Sequence, residues 1–127
     1  GADIQKAFIK YTPEKIAFQT RLNFEANIAM CHGVLLRREK DLKILAVSSM
    51  SGSLPMPYFA IYSATKRAVI DFYESLRYEV KDAKITVLMP GGIHESGYRK
   101  GYRNSGLDGK IVLEAREFRS EKGSERA

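Results

Sequence analysis

Cysteine occurs once in this sequence, at Cys31, and histidine only twice, at His32 and His94. One thiol cannot close an internal disulfide, and these three scattered groups do not form a zinc-type ligand set, so no metal site is expected. A lone cysteine suits a reducing compartment, which makes a cytoplasmic location the expectation. Tryptophan is absent, and no run approaches the roughly eighteen apolar residues that cross a bilayer, so no membrane partner is expected. The first residues lack the charged-then-apolar pattern of a secretory signal.

Acidic residues are in the minority, 15 against 21 lysines and arginines, for a net charge of +6. The excess falls in two short clusters, Arg37, Arg38 and Lys40, and Arg99, Lys100 and Arg103. The first lies where a helix should end, where cations meet the helix dipole favourably. No basic stripe interleaved with aromatics is present, so a nucleic-acid partner is not expected. The clusters read as a solvated face, with a site for an anionic cofactor or substrate as the alternative. With 44% hydrophobic and 28% charged residues in 127, the chain has the make-up of one compact soluble domain.

Thr12-Pro13-Glu14 is a helix start: a hydroxyl N-cap, proline in the first turn and an acid beside it. Apolar residues then recur at Ile16, Leu22, Ala26, Met30, Val34 and Leu35, which predicts a long amphipathic helix ending near residues 37–40. Leu42 to Val47 is a short apolar run, as in a buried parallel strand. Residues 48–57 are rich in serine, glycine and proline and form a loop. A second helix spans Phe59 to Lys81, with Ala60, Ala64, Ala68, Phe72 and Leu76 on one stripe. Lys84 to Met89 is a second buried strand, stopped by Pro90-Gly91-Gly92. Helix, strand, helix, strand is the rhythm of an α/β fold, a partial Rossmann-like parallel sheet. Beyond Gly92 the glycine-punctuated chain reads as a mobile segment. Its last stretch, 110–127, is either a strand at Ile111-Val112-Leu113 or a polar helix.

Chemistry concentrates at Tyr62 and Lys66, four residues apart and therefore on one helix face. Ionising a phenol at neutral pH costs roughly 4 kcal/mol, and a neighbouring ammonium lowers that cost. Ser49 precedes Tyr62 by thirteen residues, at the C-terminal end of a predicted strand, the end at which open parallel sheets bind ligands. Asn23 stands a further 26 residues upstream, on the first helix.

Val47-Ser48-Ser49, Gly52, Pro57, Tyr62-x-Ala64-Thr65-Lys66-x-Ala68, Phe72, Ser75-Leu76-Arg77-x-Glu79, Ile85-Thr86-Val87 and Pro90-Gly91 resemble the C-terminal half of the short-chain dehydrogenase/reductase family. The resemblance covers residues 1–96 as a catalytic segment and leaves 97–127 as a flexible loop and tail. It implies an NAD(P)-dependent carbonyl/alcohol oxidoreductase acting on a small-molecule carbonyl or alcohol. By the resemblance, Tyr62 is the general acid/base, Ser49 holds the reacting oxygen, and Lys66 lowers the tyrosine pKa and binds the nicotinamide ribose. Asn23, with Asn27 as the other candidate, keeps a proton-relay water near the lysine. Pro90, Gly91 and the backbone of Ile93 meet the nicotinamide ring.

Two departures stand out. Glu95, with Ser96 beside it, occupies the place of a cofactor-binding threonine. No glycine-rich phosphate loop follows a strand anywhere in these residues, and Gly1 falls where the family's Asn-Asn-Ala-Gly motif ends. The chain therefore reads as the catalytic half alone. The competing expectation is a catalytically silent fragment that serves as an interaction or dimerisation module. Because the two predicted helices resemble the family's dimer contact, a homo-oligomer, most simply a dimer, is expected in either case.

Overall fold

The computed structural model describes residues 1–38 and 40–91 together with a two-residue strand at 116–117. Helix α1 (Pro13–Thr20) begins where expected, with Thr12 Oγ1 accepting the Lys15 N–H at 3.3 Å. The backbone stays right-handed through a π turn at Arg21–Glu25 and continues as α2 (Ala26–Leu36). Strand β1 (Lys43–Val47) follows, then a 3-10 turn at Met50–Gly52, helix α3 (Ala60–Glu79) and strand β2 (Lys84–Met89). Strands β1 and β2 are parallel, with Lys43 opposite Lys84 and Val47 opposite Leu88. The α/β expectation therefore holds. A strand that the sequence did not suggest, β3 (Arg116–Glu117), adds antiparallel to β2 at Leu88 and Met89; Ile111 to Leu113 lie outside the described residues.

The core joins Cys31 of α2, Val69, Tyr73 and Leu76 of α3, and Ala46, Ile85, Val87 and Met89 of the sheet. Arg77 ties α3 to β2, its Nε donating to the Ile85 carbonyl at 3.1 Å while Glu74 holds its other end at 2.8 Å.

Three sequence expectations are corrected by this packing. Burial in the strands alternates, with Ile85, Val87 and Met89 inside but Leu45 and Val47 exposed; among the described residues, the helices cover one sheet face. On α3 the buried series is Lys66, Val69, Tyr73 and Leu76, whereas Ala60 and Ala64 of the expected stripe are exposed. The larger side chains fill the space above the sheet. Along the first helix the inward positions are Gln19, Asn23 and Cys31, while Leu22, Met30 and Val34 face outward with Phe18. Polar groups turn inward here because the N-terminal segment offers them backbone partners. No helix among the described residues is long and apolar enough to cross a membrane.

Val69 is fully buried, so Val69→Ala is expected to cost about 2 kcal/mol in urea unfolding through lost contacts and a residual cavity. Thr12→Ala, which removes the cap of α1, should cost about 1 kcal/mol.

Candidate active site

The site is built where β1 ends. Parallel pairing continues past the strand: the Ser48 N–H donates to the Leu88 carbonyl at 2.8 Å and the Met50 N–H to the Pro90 carbonyl at 3.1 Å. Ser49, between these two anchors, is extended and caps the following turn, its Oγ accepting the Ser51 N–H at 3.2 Å. With its oxygen occupied that way, the hydroxyl proton is left to donate elsewhere. Pro90 and Gly91 reach the same rim through the Pro90–Met50 bond. Ile93 lies outside the described residues, as do Glu95 and Ser96.

Tyr62 stands in the first turn of α3 with the Phe59 ring edge-on to it, centroids 6.2 Å apart. The Ser49 hydroxyl faces the Tyr62 phenol closely enough to favour its phenolate form. The Lys66 ammonium lies over the Tyr62 ring face, 5.6 Å from the centroid. The structure thus brings Ser49, Tyr62 and Lys66 together on one rim, as their spacing suggested.

The electrostatics differ from the expectation. The phenol is held above its ordinary value, chiefly because burial disfavours the phenolate; the Ser49 hydroxyl works the other way, and the Asp3 carboxylate adds to the rise. Burial likewise pushes the Lys66 ammonium below its usual value. The ammonium lies over the ring, and in this arrangement desolvation is the larger effect on the phenol.

Asn23 falls in the π turn, the kind of helix irregularity that re-aims a side chain. Its Nδ2 donates to the Ala2 carbonyl at 2.8 Å and to Thr65 Oγ1 at 3.2 Å, and its Oδ1 accepts the Ala2 N–H at 2.7 Å. The amide is thus engaged at both ends in pinning the N-terminal segment to α3. A β-carbon placed on Gly1 would lie 2.5 Å from Asn23 Oδ1 and 3.4 Å from Lys66 Nζ, so the bare glycine permits this close approach. Asn27, the other candidate, accepts the hydroxyl of the core residue Tyr73 at 2.8 Å.

Several site residues were not anticipated. Gln19, fully buried, donates to the Ala2 carbonyl at 3.2 Å and accepts the Tyr11 hydroxyl. Thr65 receives Asn23 and donates to the Tyr62 carbonyl at 2.8 Å. Ser48 donates to the Lys66 carbonyl at 2.7 Å. The i, i+4 pairing of Gln19 with Asn23 was the available signal for the first.

The sequence model of the short chain dehydrogenase family matches residues 1–104. The chain belongs to that family. It is 32% identical over 114 residues to the 3-ketodihydrosphingosine reductase of Bacteroides thetaiotaomicron, covering 87% of this chain and 42% of that protein. It is 46% identical over 57 residues to the 11-beta-hydroxysteroid dehydrogenase-like 3 of Arabidopsis thaliana, covering 44% of this chain and 18% of that protein. Among solved structures it resembles the apo form of LigO from Sphingobium sp. strain SYK-6, with TM-score 0.69, 30% identity, and coverage of 85% and 42% of the two chains. This short-chain dehydrogenase chain thus spans less than half of these relatives, and membership makes it an oxidoreductase by family.

The buried ammonium gives a pH test. Between its lowered value and the 10.5 of a free lysine, the folded protein binds fewer protons than the unfolded chain, so stability rises with pH there. Below that window the destabilisation is fully present. Lys66→Met should therefore stabilise the protein most at pH 7, and the gain should shrink as pH rises toward 10 in urea titrations.

Proposed function

We propose that this chain supplies the proton-transfer site of an NAD(P)-dependent oxidoreductase that interconverts a small-molecule ketone and its alcohol. The observation that carries this reading is the convergence of the Ser49 hydroxyl on the Tyr62 phenol with the Lys66 ammonium over the same ring. In reduction, Tyr62 gives its phenolic proton to the substrate oxygen, and Ser49 donates a hydrogen bond to that oxygen as negative charge develops on it. In oxidation the same groups act in reverse. Burial keeps the phenol protonated, the form that donates in the reductive direction. Lys66 and Asn23 provide the route by which the proton is replaced.

The residues present fit the nicotinamide end of the cofactor. Lys66 is buried and makes no ion pair among the described residues, and a buried ammonium needs acceptors such as ribose hydroxyls. Pro90 and Gly91 stand on the same rim. When bound, the cofactor supplies the hydride; its phosphates would be held by a segment outside these residues, because no glycine-rich loop occurs among them. Relatives named for a ketosphingoid and a hydroxysteroid support a substrate with a large apolar body. Phe18, Leu22, Met30 and Val34 form an exposed apolar stripe along the first helix, which supports self-association.

In protein carrying this chain with its dinucleotide-binding segment, Tyr62→Phe should lower ketone turnover at least about a hundredfold while the cofactor Kd stays within about twofold. Retained turnover would overturn the assignment. The 127-residue segment by itself should bind NADH or NADPH no more tightly than about 1 mM by fluorescence titration, since the phosphates contribute much of the usual anchoring. Light scattering should find a dimer that Leu22→Arg converts toward monomer; a monomeric parent protein would count against the stripe as an interface.

A further inference from the structure

We propose that Ser48, together with Gly52, is a positioning element that sets the Ser49–Tyr62 distance by clamping the backbone of Lys66. The inference rests on the site assignment above and adds residues that do not themselves touch substrate.

Ser48 is 3% exposed, and its hydroxyl donates to the Lys66 carbonyl at 2.7 Å. That carbonyl lies within α3, where a helical acceptor still has a second lone pair to offer. Gly52 meets the same place from the other side of the loop. A β-carbon there would stand 2.9 Å from the Lys66 carbonyl carbon, 3.0 Å from the Arg67 nitrogen and 2.9 Å from Ile70 Cδ1. The connection from β1 to α3 therefore touches one peptide unit, Lys66–Arg67, at two points, one polar and one steric. Ser49 lies between those two points in sequence. Its own backbone is held on both flanks by the Leu88 and Pro90 carbonyls.

Consequently the strand end that carries Ser49 and the helix that carries Tyr62 and Lys66 cannot slide relative to one another without breaking the Ser48 bond or driving Gly52 into the helix. The close approach also explains glycine at position 52, because any β-carbon would force the turn off α3. Ser49 reaches the phenol only while that spacing is kept. A hydrogen bond weakens steeply once distance and angle drift, and misplacement of reacting groups by about 1 Å can cost a hundredfold in rate.

The test uses Ser48→Ala, Ser48→Thr and Gly52→Ala in protein labelled at the tyrosine ring carbons, with Tyr62 assigned by its absence in Tyr62→Phe. Ser48→Ala should raise the Tyr62 ionisation midpoint by about half a pH unit, because the Ser49 donor is no longer held in place. Turnover should fall about tenfold with cofactor KM within about twofold. Ser48→Thr, which keeps the hydroxyl, should lie nearer the parent in both readouts than Ser48→Ala. Gly52→Ala should shift the midpoint in the same direction, and it decides the matter if Ser48→Ala does not fold. A lowered melting temperature with midpoint and turnover unchanged in folded Ser48→Ala or Gly52→Ala would overturn the proposal and leave these residues purely structural. The midpoint is read without turnover, so the clamp can fail or stand independently of the oxidoreductase reading.

Discussion

The hydrogen bond from the Ser48 hydroxyl to the Lys66 carbonyl joins the end of a strand to a helix that begins a dozen residues later, and the rest of the site follows from that junction. Parallel pairing of β1 with β2 carries Ser49 to the rim and brings Pro90 alongside it. The helix lays Tyr62 and Lys66 on one face. Neither arrangement alone brings Ser49 to the phenol; the contact between loop and helix does. On the far side, Asn23 bonds Thr65 and Ala2, so the first turns of α3 are held from two directions.

The same enclosure sets the electrostatics. Burial keeps the proton on Tyr62 and disfavours the charge on Lys66, a combination suited to an acid waiting for a developing oxyanion. The buried ammonium is thus a local destabilisation, of the kind that functional positions commonly hold.

The two parallel strands and α3 were legible because each is announced by local signals: apolar runs, turn residues at their ends, and the Pro90-Gly91 stop. The serine, tyrosine and lysine were legible because their spacing is local to one strand-loop-helix unit. The facing of the first helix was not. Leu22, Met30 and Val34 suggested the buried stripe, yet Gln19 and Asn23 turn inward to satisfy Ala2, and no periodicity reports a partner so far away in the chain. The role of Ser48 was hidden for the same reason, since a serine beside Ser49 looks like part of a polar loop. The direction of the Tyr62 shift was missed because the sequence shows the charge on Lys66 but not the desolvation around the phenol. Strand β3, two residues in a polar stretch, carries no sequence signal of its own.

Titration of Tyr62 in the Ser49→Ala protein, followed at its labelled ring carbon, tests the central arrangement most directly. Removing a hydroxyl that donates to the phenolate oxygen raises the ionisation midpoint above that of the parent protein. A midpoint that stays put or moves down would mean that the Ser49 hydroxyl does not favour the phenolate, and it would contradict the site described here.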